Sequence, residues 1–159
     1  MSKILMVYYS FEGNTEYAAN VAAKCADIDL QKLIPVKEPP KKGFGKFFWG
    51  GKSVMMKEMP ELEPQQYSAA DYDTIILGFP VWASSYPPAI ATFLRDNDLT
   101  GKKIYVIACS AGGDARKALT KLAAKLRDSS VKTSLSLQDP LKNQADADKK
   151  IPAFIKTIV

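Results

Sequence analysis

The sequence contains no histidine, and its 159 residues include only two cysteines, Cys25 and Cys109. Without histidine, Ser-His-Asp and Cys-His catalysis are excluded, and the commonest transition-metal ligand is missing. Two thiols are too few for a disulfide framework, a zinc site or an iron–sulfur cluster. Both cysteines are expected to be small, buried apolar side chains. Long apolar runs are absent too: none approaches the ~20 residues that span a bilayer. The start MSKILMVYY lacks the long apolar region and cleavage site of a signal peptide. The expectation is a cytoplasmic protein with no membrane partner, whose chemistry comes from carboxylates, hydroxyls, amines, backbone amides or a bound cofactor.

What is present suits one domain spanning residues 1–159, with 47% hydrophobic and 25% charged residues. Lys and Arg number 22 against 17 Asp and Glu, a mild excess of +5 spread over the chain. The densest basic segment runs from Lys37 to Lys57 and includes Phe44, Phe47, Phe48 and Trp49. Its Lys42–Trp49 stretch resembles the aromatic octamer of an RNA-recognition motif. Lys46 replaces a stacking aromatic there, and no four-stranded RRM sheet surrounds it, so nucleic acid is not an expected partner. Gly45 to Ser53 misses P-loop spacing, and no strand precedes it. The segment reads instead as a surface helix near Phe44–Lys57, a flap or a docking patch, followed by a polar loop over Glu58–Tyr72.

Continuous apolar runs at Ile4–Tyr9, Thr74–Phe79 and Ile104–Cys109 are those of strands buried on both faces. Weaker strands are predicted at Leu30–Ile34 and along Val131, Thr133, Leu135 and Leu137, where polar residues intervene. Helical spacing links Tyr17, Ala18, Val21, Ala22 and Cys25; then Leu119, Leu122, Ala123 and Leu126; then Ile151, Phe154, Ile155 and Ile158. Pro87 and Pro88 mark a further helix start before Ile90, Phe93 and Leu94. Alternating strands and helices predict a three-layer α/β/α fold with a five-stranded parallel sheet. With the weaker strands at the edges, the order is 2-1-3-4-5.

Ligands of such sheets bind beyond the carboxyl ends of the strands, at the switch point. The first such loop, Ser10-Phe11-Glu12-Gly13-Asn14-Thr15, combines hydroxyls, a turn glycine and a helix N-terminus. That is either a phosphate cradle or an ordinary turn capped by Asn14 or Thr15. The second, Pro80-Val81-Trp82-Ala83-Ser84-Ser85-Tyr86, places a tryptophan beside small hydroxyl residues, where a planar ligand could stack. The third, Ser110-Ala111-Gly112-Gly113-Asp114, is either a βα turn with Asp114 as helix cap or a close backbone approach to a ligand.

Together these loops give the chain a resemblance to the flavodoxin family along essentially its whole length. SFEGNT is similar to the family's Ser/Thr-x-Thr-Gly-x-Thr phosphate loop, LGFPVWA to the loop whose tryptophan flanks the flavin, and CSAGGD to the loop on its pyrimidine edge. The resemblance implies non-covalent FMN, one-electron transfer and redox partner proteins, in a monomer or weak dimer. It places the phosphate at Ser10, Phe11, Glu12, Gly13, Asn14 and Thr15. The ring falls to Pro80, Val81, Trp82, Ala83, Ser84 and Tyr86, and the pyrimidine to Ser110, Ala111, Gly112, Gly113 and Asp114.

The chain also departs from the family. Glu12 replaces a threonine, and Lys117 stands where many members carry a stacking tyrosine; Tyr86 or an aromatic from Phe44–Trp49 could substitute. Ala83 replaces a glycine whose peptide turns over on reduction in Trp-Gly members. An alanine is expected to make a positive-φ conformation costly at that position. A net charge of +5 also contrasts with the acidic carriers of the family. The rival reading is an NAD(P)H-dependent quinone or nitro reductase using FMN on the same fold; a third is a flavin-free interaction protein.

Overall fold

In the computed structural model, which describes residues 3–37, 59–126 and 129–159, the three apolar runs form the middle of one sheet. The strands are β1 (Ile4–Tyr8), β2 (Ile28–Lys32), β3 (Thr74–Pro80), β4 (Lys103–Ser110) and β5 (Ser130–Gln138). All pairings are parallel and the order is β2-β1-β3-β4-β5, as predicted. The described α-helices are α1 (Asn14–Cys25), α2 (Pro88–Asp96), α3 (Arg116–Lys125) and α4 (Gln144–Lys156).

Strand pleating divides the core in two. Leu5, Val7, Ile75, Leu77, Ile104 and Val106 pack with Ile90 and Phe93 of α2 and Ala118 and Leu122 of α3. On the other face, Met6, Ile76 and Ile107 pack with Ala18 and Ala22 of α1 and Ile151 and Ile155 of α4. The small residues of α1 allow close approach. A Cβ added to Gly78 of β3 would lie 2.7 Å from Met6 Cε and 3.2 Å from both Thr15 Cγ2 and Tyr8 Cβ. Only glycine lets the first turn of α1 settle over the sheet here.

Several boundaries differ from the sequence reading. Strand β2 lies earlier than Leu30–Ile34 because Ile28 pairs with Ile4 of β1. Its polar Gln31 is buried yet satisfied, since Oε1 accepts from the amides of Gln66 (2.8 Å) and Tyr67 (3.0 Å). Residues after Glu58 are therefore more than a polar loop. Val36 donates its amide to Glu61 O at 2.9 Å, Glu63 donates its amide to Ile34 O at 2.7 Å, and Ala69–Asp71 forms a 3-10 turn. The alternation along β5 breaks at a bulge: Val131 pairs with Ile104 but Thr133 with Tyr105. Lys132 is the extra residue, so Val131 lies on the opposite face from Leu135 and Leu137. Cys25 is exposed at the end of α1, contrary to expectation, while Cys109 is buried. The helix expected near Phe44–Lys57, and the aromatic Phe44–Trp49 segment, lie outside the described residues.

Candidate functional site

A cavity of about 480 Å³ opens beyond the carboxyl ends of the central strands. The β1 loop supplies Ser10, Phe11, Glu12, Asn14 and Thr15; the β3 loop Pro80, Val81, Trp82 and Ala83; β4 and its loop Cys109, Ser110 and Ala111. The turn after β5 adds Asp139 and Lys142.

A glycine behind the first wall shapes its turn. Gly13 is the N-cap of α1 at φ 102, where any other residue is strained, and a Cβ there would meet Leu141 Cδ1 at 3.1 Å. Neither Asn14 nor Thr15 is the cap, as the ordinary-turn reading had it; they are the first helical residues. Ser10 Oγ accepts instead from the Glu16 amide at 3.0 Å. The amides of Asn14 and Thr15 have no intrahelical partner by position, and the helix dipole adds positive potential there. The Asn14 side chain is committed elsewhere, its Oδ1 accepting from the Leu141 amide at 3.0 Å.

Two hydroxyls on this cavity are anomalous. Thr15 Oγ1 and Ser110 Oγ are both buried and bond to no oxygen or nitrogen; the Thr15 hydroxyl has only the weakly accepting Cys109 sulfur beside it. A buried hydroxyl without a partner costs ~1–3 kcal/mol, so native proteins rarely keep one without a use. Next to them, burial pushes the Cys109 thiol up to about 11; the Thr15 hydroxyl opposes this and the Asp139 carboxylate adds to it. The thiol is neutral at pH 7 and poor as a nucleophile.

The β3 wall is a tight hairpin. Trp82 and Ser85 exchange two backbone bonds of 2.9 Å each across Ala83 and Ser84. Those residues have φ of 48 and 59, the pattern of a type I′ turn, which favours Asn-Gly. The cost expected of a left-handed Ala83 is therefore already carried in the resting fold, and Ser84 carries the same. Ser84→Gly should stabilise the protein by about 0.5–1 kcal/mol, the relieved strain less glycine's extra unfolded entropy. Denaturant unfolding reads this directly, and destabilisation would contradict the assigned turn. The Trp82 indole is held perpendicular to the rings of Tyr9 (5.5 Å) and Phe11 (5.4 Å), which fixes its plane at the cavity edge.

Six of the sequence-predicted residues do not line the cavity: Gly13, Ser84, Tyr86, Gly112, Gly113 and Asp114. Gly13 shapes the turn from behind. Tyr86 is half-buried against the α2–α3 side of the core, which raises its phenol. Asp114 precedes the N-cap Ala115, so it is not itself the cap. Its Oδ1 accepts from the Arg116 amide (3.0 Å) and its carboxylate pairs with the Arg116 guanidinium at 2.9 Å. These bonds hold Asp114 at about 2, so it stays ionised until strongly acid pH.

Asp139 and Lys142 were not foreseen. The only sequence signal was their position: they follow β5, which neighbours β4 across the switch-point loops. Asp139 donates its amide to Ser110 O at 3.0 Å and turns the chain at φ 36.

The topology and the cavity's place define a doubly wound α/β ligand-binding protein. The family model for flavodoxin matches residues 3–151. The chain belongs to the flavodoxin family. Among solved structures, a candidate flavoprotein from Bacteroides eggerthii is 27% identical, with a TM-score of 0.80 over 99% of this chain and 98% of that one. A flavoprotein from Lactobacillus acidophilus, in complex with FMN, is 19% identical, with a TM-score of 0.73 over 91% of this chain and 98% of that one. An apo NADH:FMN oxidoreductase is 16% identical, with a TM-score of 0.58 over 99% of this chain and 88% of that one. The latter two likenesses speak to the fold. Among the described residues, no helix is long and apolar enough to cross a membrane.

Proposed function

We propose that this chain binds FMN non-covalently in the switch-point cavity and carries electrons between redox partner proteins in the cytoplasm. The observation that carries the reading is the pair of buried hydroxyls with no oxygen or nitrogen partner, Thr15 Oγ1 and Ser110 Oγ, on one cavity that Trp82 also lines. They fit a ligand with a phosphate at one end and polar ring edges at the other. Thr15 and the first-turn amides of α1 would take the phosphate, Ser110 and the Ala111 backbone the polar edge, and Trp82 would lie beside the ring. The flavin supplies the redox chemistry when bound; the protein binds it, orients it and limits water. The buried, neutral Cys109 thiol leaves no protein nucleophile competing at that wall.

The experiment reconstitutes the protein with FMN and supplies NADPH or NADH, with and without a quinone. A carrier gains flavin absorbance but oxidises neither nucleotide without an added reductase. Steady-state turnover would favour the reductase, and a protein that stays colourless would favour the flavin-free reading.

A further inference from the structure

We propose that Lys142 is the cationic partner of the FMN phosphate and sets the chain's preference for FMN over riboflavin, an inference that rests on the flavin reading above. Three lining residues carry formal charge: Glu12, Asp139 and Lys142. Two of them are carboxylates, which repel a phosphate dianion, and Glu12 sits within the phosphate loop itself. Helix dipole and backbone amides act against that repulsion. Among the described residues Lys142 is the one cation lining the cavity, and it forms no ion pair with any of them.

The turn that carries Lys142 is fixed to the phosphate loop. Lys142 donates its amide to Asp139 O at 2.8 Å, and Asn143 donates to the same oxygen at 3.1 Å. Asn143 Nδ2 closes back on Gln138 O at 2.9 Å. The preceding residue, Leu141, binds Asn14 Oδ1 through its amide and fills the space behind Gly13. The backbone of Lys142 is thus one residue from a direct bond to the first turn of α1. Its four-carbon stem and three rotatable donors suit a phosphate that the rigid amides grip only from one side.

The test measures dissociation constants of the apo protein for FMN and riboflavin by quenching of flavin fluorescence, at low and high salt. Lys142→Met keeps the stem and removes the charge. It should weaken FMN about tenfold or more, leave riboflavin unchanged and flatten the salt dependence of FMN binding. Lys142→Arg should retain most of the preference. Because Lys142 is exposed, thermal unfolding of the apo variants should match the wild type. Unchanged FMN affinity in Lys142→Met, or equal losses for both flavins, overturns the proposal while leaving the cavity assignment intact. A wild type that binds neither flavin overturns the flavin reading and this inference with it.

Discussion

Thr15→Val should stabilise the ligand-free protein by about 1 kcal/mol while weakening FMN about ten- to a hundredfold. The two effects have opposite signs for one reason. In the apo fold the Thr15 hydroxyl is buried to 1% exposure with only the weakly accepting Cys109 sulfur beside it, so the protein bears most of its desolvation unrewarded. Valine keeps the shape, including the methyl that packs over Gly78, and removes the orphan. The bound phosphate, in contrast, loses a hydrogen bond to a charged acceptor, worth ~1.5–3 kcal/mol. Ser110→Ala should follow the same pattern with a smaller loss, since its counterpart on the ring is uncharged. Chemical unfolding of the apo forms and flavin titration of each variant give the two quantities separately. Loss of apo stability in Thr15→Val would mean that the hydroxyl serves the fold rather than a ligand.

Gly78→Val should lower stability by about 3 kcal/mol, a fall of roughly 6–12 °C in Tm for a chain of this size. The first added carbon already meets Met6 Cε, which can move, and then Thr15 Cγ2 and Tyr8 Cβ, which cannot move without shifting α1 or β1. The surviving folded protein should also bind FMN more weakly, because lifting the first turn of α1 displaces Thr15 and its amide. Gly112 provides the control. A Cβ there meets nothing within 4 Å, so Gly112→Ala should stay within about 0.5 kcal/mol of the wild type. A tolerant Gly78→Val would show that α1 does not rest on β3 as closely as the structure has it.

Much of this fold was legible because its signals are local. The runs ILMVY, TIILGF and IYVIAC could only be strands covered on both sides, and their weak partners could only be edges. The loops that carry Ser10, Thr15, Trp82 and Ser110 to one cavity could be located once the topology placed the switch point. What was hidden depends on contacts between distant segments. Gly78 sits inside an apolar run, where a lone glycine hints at a close approach but does not say to what. The Lys132 bulge leaves the alternation along β5 looking regular while reversing its face. Lys142 belongs to a turn that reads as ordinary in sequence; only the bond from Leu141 to Asn14 brings it to the phosphate loop. Asp114 pairs with Arg116 and Tyr86 packs against the core, contacts that no spacing in the sequence signals.

The central claim is that the cavity over β1, β3 and β4 is built for a flavin carrying a phosphate. Titration of the apo protein with FMN and, separately, with riboflavin tests it most directly, since the two ligands differ only by that group. The account predicts saturable one-to-one quenching of FMN fluorescence, with FMN bound at least about a hundredfold more tightly than riboflavin, consistent with several charge-assisted bonds to the phosphate. Equal affinities for the two flavins, or no quenching by either, would contradict it.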